Sequence, residues 1–112
     1  MKVVLVTGCS TGIGLATAKL FSDGDYQVIA TARSPESSEE LVDLAKKDNV
    51  LLKTLDVCDQ ASVDKLFDEL NEFDVDVLVN NAGVGGSGSV ENASMDFAKN
   101  LMETNYFGAL RM

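Results

Sequence analysis

Two hydrophobic periods alternate along this chain, and the alternation limits its fold more than any other feature. Lys2 to Thr7 (KVVLVT) is a short β-branched run; a glycine cluster follows, then Ile13, Ala16 and Leu20 at helical spacing. Gly24 stops that helix, and Gln27 to Thr31 (QVIAT) is the next strand. Ser34 and Pro35 read as an N-cap and an N1 proline, opening a helix whose apolar stripe is Leu41, Leu44 and Ala45. Val50 to Leu55 is a third strand, and Asp59 caps a helix carrying Val63, Leu66, Phe67 and Leu70 on one face. Val75 to Val79 is the fourth strand, Gly83 to Ser89 a loop, and a last helix starts near Ser94 with Phe97, Leu101 and Asn105 on one face.

A βαβαβαβα order predicts an α/β fold: a doubly wound parallel sheet in three αβα layers. Four strands with their helices make about half of such a domain. The expected organisation is therefore one incomplete nucleotide-binding domain over residues 1–112.

A net charge of −9 argues against nucleic acid or an anionic membrane as the main partner. The acids are dispersed rather than gathered in a tail, as on solvated helix faces. Val3 to Val6, the longest unbroken apolar run, is far too short to span a bilayer and too short for a secretion signal. Cys9 and Cys58 form no C-x-x-C and no disulfide framework, which fits a reducing, cytoplasmic setting. The chain has no histidine, which removes His-based triads, His–metal sites and H-E-x-x-H hydrolases; no metal site is expected. Without histidine to activate them, the two cysteines read as small buried fillers.

The unusual residues all fall at strand carboxyl ends, where open α/β sheets bind ligands. Val6 to Gly14 (VTGCSTGIG) places glycines at 8, 12 and 14 between a strand and a helix. Such glycines allow positive φ and close backbone approach to a phosphate, with the helix N-terminus offering free N–H groups; the bland alternative is a tight turn needing glycine for packing. No Lys-Ser/Thr pair follows, so this is not a P-loop. Ser10 and Thr11 add hydroxyl donors. After the second strand come Ala32 and Arg33 with no acid until Glu36, so NADP(H), whose 2′-phosphate an arginine would pair, is expected over NAD(H). The alternative is a solvent-facing loop arginine.

Asp56 ends the third strand, where its carboxylate suits an adenine amino group and Val57 a backbone contact, or where it forms an Asx turn. Asn80-Asn81-Ala82-Gly83 ends the fourth strand and also reads as an ordinary turn. Asn105 sits on an apolar helix face, where it either bends the helix and holds a water or faces solvent on a rotated helix.

Thr7-Gly8-x-x-x-Gly12-x-Gly14, Asp56-Val57, Asn80-Asn81-Ala82-Gly83 and Asn105 together resemble the classical short-chain dehydrogenase/reductase family, across all 112 residues. VTGCSTGIG, LDVCD, VDVLVNNAG and TNYFGALRM look most like its branch of oestradiol 17β-dehydrogenase type 1 and photoreceptor-type retinol dehydrogenase. The resemblance implies a Rossmann fold binding NAD(P)(H). It assigns Gly8, Ser10, Thr11, Gly12, Ile13 and Gly14 to the pyrophosphate and adjacent ribose, Arg33 to the 2′-phosphate, Asp56 and Val57 to adenine, and Asn81, Ala82 and Gly83 to the ribose near the nicotinamide. Asn105 matches the asparagine of the family's catalytic tetrad. The family's serine and Tyr-x-x-x-Lys find no match: Tyr26 and Tyr106 are followed four residues on by Ala30 and Leu110.

The leading expectation is therefore the cofactor-binding half of an oxidoreductase acting on a lipophilic alcohol or ketone such as a steroid or retinoid, inactive alone. A homo-oligomer is among the partners the resemblance allows, and nothing in the residues shows membrane association. A non-catalytic nucleotide- or partner-binding module is the alternative. An S-adenosylmethionine methyltransferase is disfavoured by NNAG and by the missing acid after the second strand.

Overall fold

Each β-branched run becomes a strand in the computed structural model, which describes all 112 residues. They are β1 (Lys2–Val6), β2 (Tyr26–Ala32), β3 (Val50–Thr54) and β4 (Val77–Val79). All pairings are parallel, and the order across the sheet is β3-β2-β1-β4. Leu5 of β1 stands between Ile29 of β2 and Leu78 of β4. The chain moves outward from β1 to β3 and then returns to the far side of β1, so the strand order reverses between β1 and β4.

Helices α1 (Gly12–Ser22), α2 (Glu39–Leu44) and α3 (Gln60–Glu69) cover the sheet. Alternate strand residues point to opposite faces. Val4, Val6, Val28 and Ala30 pack with Leu15 and Ala18 of α1 and Leu41 and Leu44 of α2. Leu5 and Ile29 pack on the other face with Val63 and Leu66 of α3 and with Leu55, Val57 and Leu70. This is the open, doubly wound αβα arrangement expected of the sequence.

The face of α1 differs from the expected stripe. Ile13 and Leu20 are 77% and 75% exposed, while Gly14, Leu15, Ala18 and Ser22 are buried. The helix is apolar nearly all round, so periodicity alone does not choose its rotation. The choice falls to Gly14, which lies against the Gly8 carbonyl. That contact turns the Leu15–Ala18 side toward the sheet.

Two boundaries differ by more than one residue. Pro35–Ser37 is a short 3₁₀ turn, and the N-cap of α2 is Ser38, whose Oγ accepts from Leu41 N. Ser34 makes no capping bond. β4 starts at Val77 rather than Val75, because the Asp76 carboxylate takes the Val3 N–H at 2.8 Å in place of a strand carbonyl.

The last helix is interrupted. α4 (Met95–Met102) starts beside Ser94 as expected, with the Ser94 hydroxyl capping it, runs into a π turn over Glu103–Phe107 and continues as α5 (Gly108–Arg111). No helix is long and apolar enough to cross a membrane.

Candidate functional site

The site starts where the apolar run of β1 ends. Thr7 is 1% exposed, so its hydroxyl needs partners. It accepts the backbone N–H groups of Asn81 (3.0 Å) and Ala82 (2.8 Å) and donates to Val79 O at 3.4 Å. Asn81 Nδ2 donates back to Thr7 O (3.0 Å) and Gly8 O (3.1 Å). These bonds lock together the carboxyl ends of β1 and β4, at the point where the strand order reverses.

Beyond Thr7 the backbone takes left-handed conformations at Gly8 (φ +71°) and Gly12 (φ +61°). A Cβ on Gly14 would collide with the Gly8 carbonyl oxygen, so only glycine lets α1 begin this close to the turn. Thr11 is the N-cap of α1, yet its hydroxyl makes no capping bond, and no acid lies in the first turn. The first amides of α1 thus remain available to an anion, with the positive end of the helix dipole behind them.

A groove of about 400 Å³ opens in front of this turn. It is lined by Gly8, Ser10, Thr11 and Ile13 from the turn, Ala32 and Arg33 from the end of β2, Leu55 to Cys58 from the end of β3, and Asn81 to Val84 from the end of β4. Ten of the thirteen predicted site residues meet there. Gly12, Gly14 and Asn105 are not in its wall; Gly14 packs against Gly8 and Asn105 holds Val84, both of which are.

Arg33 is exposed and takes part in none of the chain's ion pairs. It is an uncompensated cation in the groove wall. Asp56 forms the Asx turn, its Oδ1 accepting from Cys58 N at 3.0 Å, and lines the groove as well; helix capping falls to Asp59, whose Oδ1 accepts from Ala61 N. Val57 is 6% exposed, and its N–H has no acceptor within the chain. An acceptor and a free donor therefore sit on adjacent residues at the β3 end.

Asn105 is neither a mid-helix packing residue nor a free solvent-facing amide. Its Oδ1 accepts from Val84 N, and its Nδ2 donates to Val84 O, both at 2.8 Å. It lies within the π turn, so the helix is irregular where sequence reasoning allowed for a bend. The approach is close: a Cβ on Gly83 would stand 3.1 Å from Asn105 Oδ1.

The cysteines divide. Cys9 is fully buried, with Sγ donating to Val6 O, and burial pushes its thiol up to about 11. Cys58 is half-buried, lines the groove, and has Sγ 3.0 Å from Thr104 Oγ1. Neither tyrosine lines the groove: Tyr26 opens β2 and packs edge-on against Phe21, and Tyr106 lies against Phe107.

Sequence reasoning gave no role to Thr7, Ser38, Val84 or Thr104. Thr7 carried a signal, a polar residue closing a buried strand. Ser38, which donates from Oγ to Ser10 O at 2.7 Å and so fastens the glycine turn to α2, carried none beyond its place before Glu39.

The arrangement offers free amides and hydroxyls at the start of α1, an unpaired cation at Arg33, and an acceptor beside a free N–H at Asp56 and Val57. Likeness to known proteins bears on this geometry. The model of the short chain dehydrogenase family matches residues 2–112. Retinol dehydrogenase 8 from Homo sapiens is 40% identical over 99% of this chain and 37% of its own length. The NADPH-bound carbonyl reductase from chicken fatty liver superposes with a TM-score of 0.89 at 29% identity, over 99% of this chain and 45% of that one. An alcohol dehydrogenase from the archaeon Thermococcus sibiricus, complexed with 5-hydroxy-NADP, gives a TM-score of 0.88 at 34% identity, over 99% and 49%. The chain spans less than half the length of the curated relatives it matches.

Proposed function

This chain belongs to the short-chain dehydrogenase family, and on that premise we propose that it is the NADP(H)-binding part of an oxidoreductase acting on a lipophilic alcohol or ketone, such as a steroid or retinoid. The observation that carries the reading is the convergence of four strand ends on one groove, with an uncapped helix N-terminus and an unpaired arginine in its wall. Relatives described as retinol dehydrogenases support the substrate class, and structures holding NADPH or an NADP derivative support the cofactor.

In this reading the amides of Gly12 to Gly14, with the Ser10 and Thr11 hydroxyls, bind the pyrophosphate. Arg33 pairs the 2′-phosphate. Asp56 and Val57 meet the adenine edge, and Asn81, Ala82 and Gly83 support the ribose toward the nicotinamide. A bound NADP(H) supplies the hydride chemistry; the protein's part is to place it and to move a proton. Asn105 keeps one Nδ2 hydrogen and one Oδ1 lone pair after its bonds to Val84, enough to hold a relay water. The groove has no tyrosine–lysine pair to donate the proton, so we read turnover as a property of a longer protein and these 112 residues as a cofactor-binding, inactive portion of its domain.

A second reading is a binding module without catalysis, in which the β4 edge of the sheet takes a further strand. It predicts edge pairing between copies, visible as a dimer in light scattering.

Fluorescence titration of the chain with NADPH and NADH tests the first reading. Tighter binding of NADPH is the expected result; no binding of either sinks it, and equal affinity removes the NADP(H) assignment.

A further inference from the structure

Arg111 does not line the groove, yet it holds a residue of its wall from behind. Its Nη1 donates to Val57 O at 3.0 Å and to Glu103 O at 3.4 Å, and its Nη2 pairs with the Glu103 carboxylate. The guanidinium is mostly withdrawn from solvent, its side chain being 22% exposed.

The Val57 carbonyl and the Cys58 N–H are the two ends of one planar peptide unit. The N–H end donates to Asp56 Oδ1 at 3.0 Å. One rigid plane therefore links the Arg111 guanidinium to the Asp56 carboxylate. A cation on the carbonyl orients that plane and polarises its N–H, which tightens the bond to Asp56.

Two further features bring Arg111 to this position. A Cβ on Gly108 would stand 2.7 Å from Val57 Cγ2, so the helix lies directly on Val57. Gly108 and Arg111, three residues apart, share that face. The π turn over Glu103–Phe107 inserts an extra residue ahead of them and rotates the α5 segment by about 100°. The same rod thus presents Asn105 to Val84 at one wall of the groove and Gly108 and Arg111 to Val57 at the other.

We propose that Arg111 is the positioning residue of the purine subsite. It fixes the Val57–Cys58 peptide, and through it the Asp56 carboxylate, so that an acceptor stands beside the free Val57 N–H. The inference rests on the NADP(H)-binding reading. The strand order gives the base its place: with pyrophosphate at β1 and the 2′-phosphate at β2, the base lies toward β3. An acceptor beside a donor matches a 6-aminopurine, whose amino group donates and whose N1 accepts. It mismatches a 6-oxopurine at both positions, because there O6 accepts and N1–H donates.

The test is fluorescence titration with NADPH and with reduced nicotinamide hypoxanthine dinucleotide phosphate. The unaltered chain should prefer NADPH by about tenfold or more. Arg111→Met should shrink that preference to about threefold or less, mainly by weakening NADPH, whereas loss of general stability would weaken both ligands alike. Arg111→Lys, which keeps one donor for the Val57 carbonyl, should restore part of it. An unchanged preference in Arg111→Met, or none in the unaltered chain, overturns the inference and leaves NADP(H) binding standing. No binding of either dinucleotide to the unaltered chain overturns the NADP(H) reading and this inference with it. If circular dichroism shows Arg111→Met unfolded, Arg111→Lys alone decides: a preference reduced below that of the unaltered chain supports the inference, and an unchanged one overturns it.

Discussion

Thr7 and Asn81 hold one another through both backbone and side chain: the Thr7 hydroxyl accepts the Asn81 N–H at 3.0 Å, and the Asn81 carboxamide donates to Thr7 O at the same distance. Residues 74 apart in sequence thereby bring the glycine turn and the β4 loop to a common groove. Neither residue can be replaced by a shape mimic without leaving buried donors or acceptors open. Thr7→Val keeps the volume and removes the acceptor for two backbone N–H groups, which should cost about 2–4 kcal/mol. Urea denaturation would measure it, and a loss below about half a kcal/mol would show that the lock is incidental.

Gly12 and Gly14 should respond very differently to alanine. At Gly12 a Cβ meets open space, and only the positive φ opposes it, so Gly12→Ala should cost about 1–2 kcal/mol. At Gly14 the same methyl collides with the Gly8 carbonyl and the Asn81 carboxamide. Gly14→Ala should exceed about 3 kcal/mol or prevent folding. Equal midpoints for the two variants in denaturant would contradict the close approach.

Arg33→Ala should lower the NADPH affinity about tenfold or more while moving NADH little, since a charge-assisted bond to a phosphate is worth about 1.5–3 kcal/mol. The readout is the ratio of the two dissociation constants. A ratio unchanged by the substitution would return Arg33 to the status of a solvent-facing loop residue.

Asn105→Ala removes both bonds to the Val84 backbone. Because the pair is exposed, the cost in global stability should be modest, about 1 kcal/mol. The local effect should be larger: amide exchange at Val84 should speed by at least about tenfold. Unaltered exchange there would mean that the loop is held by something other than this carboxamide.

The two thiols should separate by labelling. A disulfide reagent near neutral pH should react with Cys58 and spare Cys9 until the chain is unfolded, and a bound dinucleotide should protect Cys58. Cys9 also sets an alkaline limit. Burial raises its folded value from 9.0 to about 11, so the unfolded chain releases this proton first. Stability from this group is intact below pH ~9 and falls as pH rises toward ~11, by up to about 2–3 kcal/mol. Cys9→Ala should flatten that decline, and an identical alkaline slope would refute the assignment.

Much of this molecule was legible in its residues because the information is local. β-branched runs, helical spacings and the glycines at 8, 12 and 14 act over a few residues, and they determined the order of strands and helices, the parallel sheet and the gathering of ten site residues at strand carboxyl ends. The cap of α3 at Asp59 was equally local, as was the start of the last helix near Ser94. Tertiary structure decided what local chemistry leaves degenerate. The rotation of α1, apolar nearly all round, depends on one contact between Gly14 and Gly8. The partners of Thr7, Asn105 and Arg111 lie between 21 and 75 residues away, apart from the Arg111–Glu103 contacts. Such pairs form only once the strand order has brought distant loops together. A buried or bridging polar group then takes whichever complementary group the packed sheet presents, and the sequence around it carries no trace of that choice.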